Sequence, residues 1–386
     1  MADDTTSHVH DQAASPAGHV LHVADREIVA RFGPMLAQVL QGLSATGLRV
    51  SFLTDETAFV DRLEGRSVDC VLVPHLQGWR GWRLQRILPE RFTPAPDVVH
   101  LWGTAGLWWL KRWLSKTASA PLLVHALGVP HIESLLRRGL RHNQHVAVLS
   151  ASLADPLLHR FPFVADRCHT TPPAVAPPLR PPAERDANRT LSVLCVSRLE
   201  ADCGLEVLID AVGQLRRSHC DVQVALIGAG RWLGPLWRRI HAQEARACVS
   251  LINEPELWER ILPEVDVCVV PARQPEPSLA PLLAMALGKT VIASRDQFDD
   301  WFIEDRTAWQ FTPGSAVELA YLLARAIEQP KHVRELSATA AEYVRDHHAV
   351  HQLISRLLAL YETLTKTSLT AGTPGSHEEN GGSHAA

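Results

Sequence analysis

The chain has 386 residues, of which 46% are hydrophobic and 21% are charged, so its length and apolar content predict two or three globular domains. Its formal net charge of −4 argues against a nucleic-acid-binding protein, because such proteins usually carry a basic excess. The seven cysteines are scattered without a CxxC pair, which argues against a disulfide framework and is typical of free thiols in a reducing compartment.

The two ends of the chain, 1–18 and 367–386, are polar and rich in small residues, and we predict that both are disordered tails. The first of them lacks the basic start and the apolar stretch of a secretory signal. No apolar run approaches the roughly 20 residues that span a bilayer. The sequence therefore predicts a cytoplasmic protein, with a peripheral position at the inner face of the membrane as the alternative.

Short apolar runs alternate with amphipathic stretches over 19–180, which we predict to be an N-terminal domain. The first strand is predicted at His19–Val23, and a helix follows at Pro34–Leu43 with Pro34 in its first position. Further strands are predicted at Leu48–Leu53, Val68–Val73, Asp97–Leu101, Pro121–His125 and His145–Leu149, and helices near Thr104–Leu114 and His131–Arg138. This alternation is typical of a doubly wound α/β domain with a buried parallel sheet.

Six prolines crowd between Thr171 and Asn188, where they fix φ and remove backbone donors, so this segment is predicted to be a linker. The alternation restarts over 181–366, which we predict to be a second domain that includes the final helix. Its strands are predicted at Leu191–Val196, Val222–Ile227, Val249–Ile252, Val265–Val270 and Thr290–Ala293. Its helices are predicted at Leu205–Arg216, Leu233–Ala247, Glu256–Ile261, Pro281–Leu287 and Ala316–Glu328, with one or two more in His332–Leu364. Because ligands bind beyond the carboxyl ends of parallel strands, two such domains predict a site in the cleft between them.

A series of short motifs runs from about Leu191 to Leu364. They are Ser197-Arg198-Leu199 followed by Gly204, the turn Leu226-Ile227-Gly228-Ala229-Gly230, the segment 265–271 (VDVCVVP), the segment 284–294 (AMALGKTVIAS), and Glu304-Asp305 followed by Pro313-Gly314. In order and spacing they resemble the family 4 (group 1) glycosyltransferases, whose GT-B fold has two doubly wound Rossmann-like domains facing across a cleft. In the first half, Asp97-Val98-Val99-His100 and Gly33 resemble the family less specifically.

The resemblance implies transfer of a sugar from a nucleotide-sugar donor to an unknown acceptor, with retention of configuration and without a metal or other cofactor. In this family an arginine and a lysine neutralise the departing diphosphate. Arg198 matches the arginine and is predicted to be catalytic, whereas Cys203 stands at the lysine position. The helix N-terminus predicted at Gly33-Pro34 is expected to assist, because helix N-termini bind anions.

Two donor-site glutamates of the family are missing, since Pro275 and Leu283 stand at their positions. Glu276, one residue past the first, is predicted to be a second catalytic residue that faces the transferred sugar. The alternative for Glu276 is a solvated charge on a loop. The missing glutamates and the missing lysine leave a second hypothesis open, a catalytically inactive GT-B binding or partner protein.

Five residues are predicted to contact substrate: Gly33, His100, His125, Gly228 and Ser278. Ser278 stands where the family has a glycine, and its backbone N–H is expected to meet a phosphate. For Gly228 and Ser278 the alternative is an ordinary turn or loop residue. His100 and His125 lie at predicted strand ends, where the cleft would open, and the alternative for each is a structural histidine.

The segment 79–116 combines six tryptophans with interleaved arginines and lysines. Such a mixture suits an anionic membrane surface, where indole rings lie among the headgroups and cations meet phosphates. Peripheral membrane contact through this segment would fit a lipid-linked acceptor. The alternative is buried rings with arginines that extend past them to water.

Overall fold

The structure is a computed structural model that describes residues 18–73, 75–76, 82–117, 120–140, 144–176, 190–272, 278–295 and 300–371. The predicted N-terminal tail up to Ala17, most of the predicted linker and the end of the C-terminal tail lie outside these residues. Among the helices that the structure describes, none is long and apolar enough to cross a bilayer. We call 18–176 the first half and 190–371 the second half.

The first half folds around a seven-stranded parallel sheet. Its strands are β1 (His19–Ala24), β2 (Arg49–Thr54), β3 (Asp69–Leu72), β4 (Val98–Trp102), β5 (Leu122–Ala126), β6 (Gln144–Val148) and β7 (Cys168–Thr170). Its helices are α1 (Arg26–Ala45), α2 (Thr57–Leu63), α3 (Leu84–Arg91), α4 (Leu107–Thr117), α5 (Val129–Arg138) and α6 (Ala151–Arg160). The strand order is β3-β2-β1-β4-β5-β6-β7, so successive strands are added towards one edge of the sheet up to β3 and towards the other edge from β4 onwards. Such a switch point, here between β1 and β4, opens a crevice at the carboxyl ends of the strands.

The second half folds around a six-stranded parallel sheet in the order β10-β9-β8-β11-β12-β13. Its strands are β8 (Leu191–Val196), β9 (Val222–Ile227), β10 (Val249–Ile252), β11 (Val267–Val270), β12 (Thr290–Ser294) and β13 (Trp309–Phe311). Its helices are α7 (Leu205–Arg217), α8 (Leu233–Ala242), α9 (Trp258–Ile261), α10 (Leu279–Ala286), α11 (Ala316–Glu328), α12 (Pro330–His347) and α13 (Val350–Ala371). The two sheets, each with crossover helices, confirm the predicted α/β architecture.

Burial of the sheets on both faces explains the continuous apolar runs of the sequence. Every residue of β4, β5 and β12 is buried. Burying each large apolar side chain contributes about 1.5–3 kcal/mol, so these strands supply much of the driving force for folding. One apolar cluster includes residues of both halves, such as Leu40, Trp258 and Leu357, so the two halves share part of a core.

Helix α1 begins at Arg26 and not at Pro34, which corrects the predicted helix start. The carboxylate of Asp25 accepts a hydrogen bond from the backbone N–H of Ile28 (3.0 Å) and caps the helix directly after β1. Pro34 therefore lies inside the helix, where the carbonyl of Ala30 loses its usual partner, but Ala30 is exposed and water can replace that bond. Gly33 is buried, and a Cβ there would lie 3.4 Å from the ring of Phe59. The predicted phosphate-binding helix N-terminus at Gly33-Pro34 is wrong for this reason.

The final helix α13 packs against the first half, although the sequence analysis assigns it to the second domain. It lies beside α1 and β4, where Gly42 allows a close approach because a Cβ there would overlap the side chain of Ile354. The helix also extends to Ala371, so 367–371 are helical and not part of a tail. The chain therefore returns to its first domain after completing the second.

Candidate functional site

A cleft of ≈ 420 Å³, here called the donor cleft, lies between the two halves. It opens at the carboxyl ends of β1 and β2 on one side and of β8, β9 and β11 on the other, as the sequence predicted for two facing domains. The first half contributes mainly charged residues, namely Arg26, Glu27, Arg31 and Glu56. The second half contributes Arg198, Gly228, Ser278 and a largely apolar wall around the ends of β8 and β11.

Arg198 lines the donor cleft from the loop that follows β8. The backbone of this loop is fixed by two hydrogen bonds, from Ser197 N–H to the carbonyl of Ile227 (3.1 Å) and from Leu199 N–H to that of Ala229 (2.9 Å). The guanidinium lies 3.8 Å from the carboxylate of Asp202, and both side chains are substantially exposed. An exposed pair of this kind contributes only about 0–1 kcal/mol, so an entering anion can replace Asp202 at little cost.

Gly228 lies on the turn beneath the Arg198 loop and lines the donor cleft. A Cβ at this position would overlap the backbone carbonyl oxygen of Ser197. Gly230 stands in the same relation to the carbonyl oxygen of Leu199. The glycines therefore allow the turn and the Arg198 loop to touch, and the contact of Gly228 with a phosphate stays a prediction.

Ser278 caps helix α10 at the edge of the donor cleft. Ser278 itself is extended, and its hydroxyl accepts a hydrogen bond from the backbone N–H of Ala280 (3.2 Å), which caps the start of the helix. Ala280 and Pro281 also line the cleft, so the positive end of α10 lies beside the space that a ligand would fill. Glu276, the second predicted catalytic residue, lies outside the described residues.

Cys203 and Leu283, which stand where the family has a lysine and a glutamate, bring no charge to the donor cleft. Cys203 is buried, with its sulfur 3.7 Å from the carboxylate of Asp202, so it cannot stand in for a lysine. Leu283 lies half-buried on α10 and packs against the apolar core, so it cannot bind a ribose hydroxyl. Any second cation at the cleft must therefore come from another part of the chain.

Two arginines of the first half, which the sequence analysis did not single out, line the donor cleft. Arg26 is 60% exposed, with its Nε 3.9 Å from the carboxylate of Asp55. Arg31 lies one turn further along α1 and is 22% exposed, with its Nη2 2.9 Å from Oε1 of Glu27. The signal in the sequence was the Asp25-Arg26-Glu27 run directly after the first strand, where an aspartate can cap a helix.

Three arginines and two glutamates line the part of the donor cleft that the structure describes. An anionic group between Arg26, Arg31 and Arg198 would gain charge-assisted hydrogen bonds, which are about twice as strong as neutral ones. Guanidinium groups suit phosphate oxygens in particular, because their donors form a planar fork. The arrangement can therefore hold a diphosphate, with the apolar wall left for less polar parts of the same ligand.

His100 and His125 do not reach the donor cleft, and both predicted substrate contacts are wrong. Each ring is fully buried, and that of His100 lies against Tyr361 of α13. The Tyr361 hydroxyl lies 2.6 Å from Nδ1 of His100, whose Nε2 lies 3.3 Å from Nδ1 of His125. The chain of hydrogen bonds ends at Thr171, whose Oγ1 lies 3.0 Å from Nε2 of His125. The register of β1, β4 and β5 turns these side chains towards the helix layer and away from the strand ends.

Burial keeps the histidines of this cluster neutral. Burial lowers the pKa of His125 to about 3, with a smaller opposing effect from its hydrogen bond with Thr171. Burial also lowers the pKa of His22 to about 3 and that of His100 well below its ordinary value. Because the Thr171 hydroxyl donates to the carbonyl of Val148, it accepts from His125, and both His125 and His100 then carry their proton on Nε2. The cluster is a structural network.

A second cavity of ≈ 570 Å³, here called the first-half cavity, opens at the carboxyl ends of β1, β4 and β5. Asp25, Glu27, His131, Arg137 and Arg138 are among the residues that line it. The backbone N–H of Leu127 donates to Nδ1 of His131 (3.1 Å), and burial lowers the pKa of that ring to about 4. His131 is therefore neutral at physiological pH and carries its proton on Nε2.

The tryptophan-rich segment divides between core and surface. Trp102 and Trp113 are buried, as the alternative interpretation expected. Trp82 and Trp108 are 47% and 54% exposed, and the guanidinium of Arg112 lies 5.7 Å from the ring centre of Trp108. Helix α4 thus presents an exposed indole with a neighbouring cation, while Trp79 lies outside the described residues.

Comparisons with known proteins find a family match over part of the chain and solved structures with a similar fold. Residues 190–329 match the family model described as glycosyl transferases group 1, and no curated protein sequence matches the chain at a significant level. Among solved structures, the chain is similar to a glycosyltransferase from Rickettsia africae ESF-5, with 15% identity, a TM-score of 0.72, and 90% of this chain and 99% of that chain covered. It is similar to sucrose-phosphate synthase from Thermosynechococcus elongatus, with 19% identity, a TM-score of 0.68, and coverage of 91% and 100%. It is also similar to Anabaena HepE in complex with UDP and glucose, with 15% identity, a TM-score of 0.74, and coverage of 90% and 100%. These likenesses confirm the predicted GT-B fold.

Proposed function

We propose that the chain is a glycosyltransferase that moves a sugar from a nucleotide-sugar donor to an acceptor, because its residues 190–329 match the family model for group 1 glycosyl transferases and its fold is GT-B. The observation that supports the proposal most directly is the meeting of Arg198 with Arg26 and Arg31 around one donor cleft. UDP-glucose is the first donor to test, because HepE was solved in complex with UDP and glucose.

The reaction follows from the chemistry of the leaving group. The acceptor oxygen forms a bond to the anomeric carbon while the bond from that carbon to the diphosphate oxygen breaks, and the electron pair leaves with the diphosphate. The hydroxyl proton passes to a base in the site. Arg198 stabilises the charge that develops on the phosphate oxygens, and Arg26 and Arg31 supply the positive charge that Cys203 does not. Retention of configuration, which the family resemblance implies, is part of this proposal.

Calorimetric titration with UDP-glucose tests the donor site. Removing one charge-assisted contact costs about 1.5–3 kcal/mol, so Arg198→Ala should weaken binding roughly tenfold to a hundredfold. The matched control is Arg217→Ala, which removes an exposed arginine that donates to Gln243 (3.2 Å) and lies outside the cleft lining. Failure of the unaltered protein to bind any nucleotide sugar would contradict the proposal and favour the inactive alternative.

For the acceptor we propose a lipid-linked molecule that reaches the first-half cavity from a membrane surface. Trp108 lines that cavity and lies on the exposed face of α4 beside Arg112, and Lys111 donates to the carbonyl of Gly139 close by (3.2 Å). An indole with adjacent cations suits the headgroup region of an anionic membrane. The exposed part of the tryptophan-rich segment would thus contact the membrane beside the first-half cavity.

Flotation with liposomes of phosphatidylglycerol and phosphatidylcholine tests the membrane contact. We expect binding that rises with the anionic fraction and falls in Trp108→Ala. Trp237→Ala is the matched control, because Trp237 is 44% exposed on α8 of the second half. Absence of binding at every lipid composition would remove membrane contact from the proposal and leave the donor site unaffected.

A further inference from the structure

The donor cleft and the first-half cavity share one lining residue among those that the structure describes, and that residue is Glu27. A sugar that leaves a donor in the first space and joins an acceptor in the second must pass the wall between them. Glu27 lines both spaces and so lies in that wall, near where the acceptor hydroxyl and the anomeric carbon would meet.

The position of Glu27 is set by the start of helix α1. Asp25 caps the helix, Glu27 lies in its first turn, and Nη2 of Arg31 donates to Oε1 of Glu27 from the next turn (2.9 Å). The side chain of Glu27 is 56% exposed, while that of Arg31 is 22% exposed. Arg31 therefore holds one carboxylate oxygen, and the exposed carboxylate remains accessible to a ligand.

The neighbouring acid–base groups of the first-half cavity do not fit the role of a base. His131 accepts the Leu127 N–H on Nδ1 and carries its proton on Nε2, so a neutral His131 can only donate a hydrogen bond to a ligand. Asp25 is buried and its carboxylate is committed to the helix cap at Ile28. Glu27 differs from both, because its side chain is 56% exposed and its carboxylate oxygens can accept a hydrogen bond from the O–H group of an acceptor.

We propose that Glu27 is a catalytic residue that binds the attacking acceptor hydroxyl and accepts its proton. This inference rests on the proposed sugar transfer. As the acceptor oxygen bonds to the anomeric carbon, the O–H bond breaks towards the Glu27 carboxylate and the diphosphate leaves with the electron pair of its C–O bond. Arg31 lies beside both Glu27 and the proposed diphosphate position. A hydroxyl bound to Glu27 would therefore lie on the leaving-group side of the anomeric carbon, which accords with retention of configuration.

Hydrolysis of UDP-glucose provides a test that does not require the natural acceptor, because water can occupy the hydroxyl position. A general base contributes about 10²–10⁴-fold to rate, so Glu27→Gln should lower kcat for UDP release at least a hundredfold, with the Kd for UDP-glucose within threefold of the original. Formate added to Glu27→Ala should restore part of the rate. The matched control is Glu90→Gln, which alters another Glu–Arg pair four residues apart, with Arg86 on α3.

The outcomes separate this inference from the function on which it rests. If the unaltered protein neither binds nor hydrolyses UDP-glucose or another nucleotide sugar, the proposed function fails. If the unaltered protein hydrolyses the donor and Glu27→Gln does so equally fast, the proposed function stands and the role of Glu27 is overturned. The role of Glu27 is also overturned by a third outcome. In that outcome the Kd of Glu27→Gln for UDP-glucose rises by the same factor as its rate of hydrolysis falls, and formate does not restore the rate of Glu27→Ala.

Discussion

At the scale of single residues, the donor cleft depends on the missing side chains of its glycines as much as on the positive charge of its arginines. Gly228 and Gly230 let the loop that bears Arg198 lie directly on the turn after β9. Gly204 adopts a φ of +68° at the start of α7 and lies against the carbonyl of Pro271, at the end of β11. The close backbone packing around the cleft therefore fixes the backbone position from which the side chain of Arg198 extends.

Gly228→Ala should destabilise the protein and weaken donor binding, because the new Cβ would overlap the Ser197 carbonyl oxygen and push the Arg198 loop away. Overpacking of this kind costs about 1–3 kcal/mol. The urea midpoint and the Kd for UDP-glucose measure the two effects. Gly234→Ala is the control, because its nearest atom would lie 3.9 Å away at the tip of Arg238 and its helix gains from alanine. Equal midpoints for the two variants would contradict the steric argument.

At the scale of elements, helix α13 completes the buried histidine cluster on one face of the first sheet. Its Tyr361 lies against His22 and His100, on strands β1 and β4, and closes the cluster from above. The same helix packs on α1, whose other end carries Arg26, Glu27 and Arg31 into the donor cleft. Helix α13 thus supports helix α1, whose first turns line the donor cleft.

Tyr361→Phe should lower the free energy of unfolding by about 1–3 kcal/mol, because it leaves Nδ1 of buried His100 without the hydroxyl 2.6 Å away. Urea unfolding followed by tryptophan fluorescence measures the loss. Tyr321→Phe removes the same atom from a tyrosine that is 65% exposed on α11 and should change little. A Tyr361→Phe protein as stable as the Tyr321→Phe protein would show that the hydrogen bond is not needed.

At the scale of the whole molecule, the neutral buried histidines predict that the fold is weakened by mild acid. Burial lowers the pKa of His22 and His125 to about 3, whereas the unfolded chain has the ordinary value of about 6.5. Between those values the unfolded state binds protons that the folded state does not, so the free energy of unfolding falls as pH drops below about 6.5. Each such histidine contributes up to about 1.4 kcal/mol per pH unit in this window.

Urea midpoints at pH 7.5, 6.5, 5.5 and 4.5 would measure this loss of stability. His22→Gln should have a shallower slope below pH 6.5, because glutamine does not titrate and its amide oxygen can still accept from Nε1 of Trp102. His241→Gln, at an exposed position on α8, should keep the original slope. An unchanged slope in His22→Gln would mean that this histidine is not the source of the acid sensitivity.

The fold could be predicted from the sequence because its signals are local. A strand such as β8 or β9 is an apolar run bounded by turn residues, and its predicted bounds agree with the structure. Arg198, Gly228 and Ser278 directly follow strands or start helices, so the parallel topology alone brings them to the cleft. Strands β7 and β13 were missed, because three residues carry too little pattern to recognise.

Local signals in the sequence predict two doubly wound domains, their facing cleft and the second-half residues at its edge. The burial of His100 depends on tertiary packing, because Tyr361, whose hydroxyl lies 2.6 Å from Nδ1 of His100, stands 261 positions away in the chain. His125 is buried in the same cluster, next to His100. Packing of the two halves also brings Arg26, Glu27 and Arg31 opposite Arg198 and places Glu27 between two cavities. Local periodicity fixes which segments become strands and helices, but the groups that a side chain meets depend on distant segments of the chain packing together.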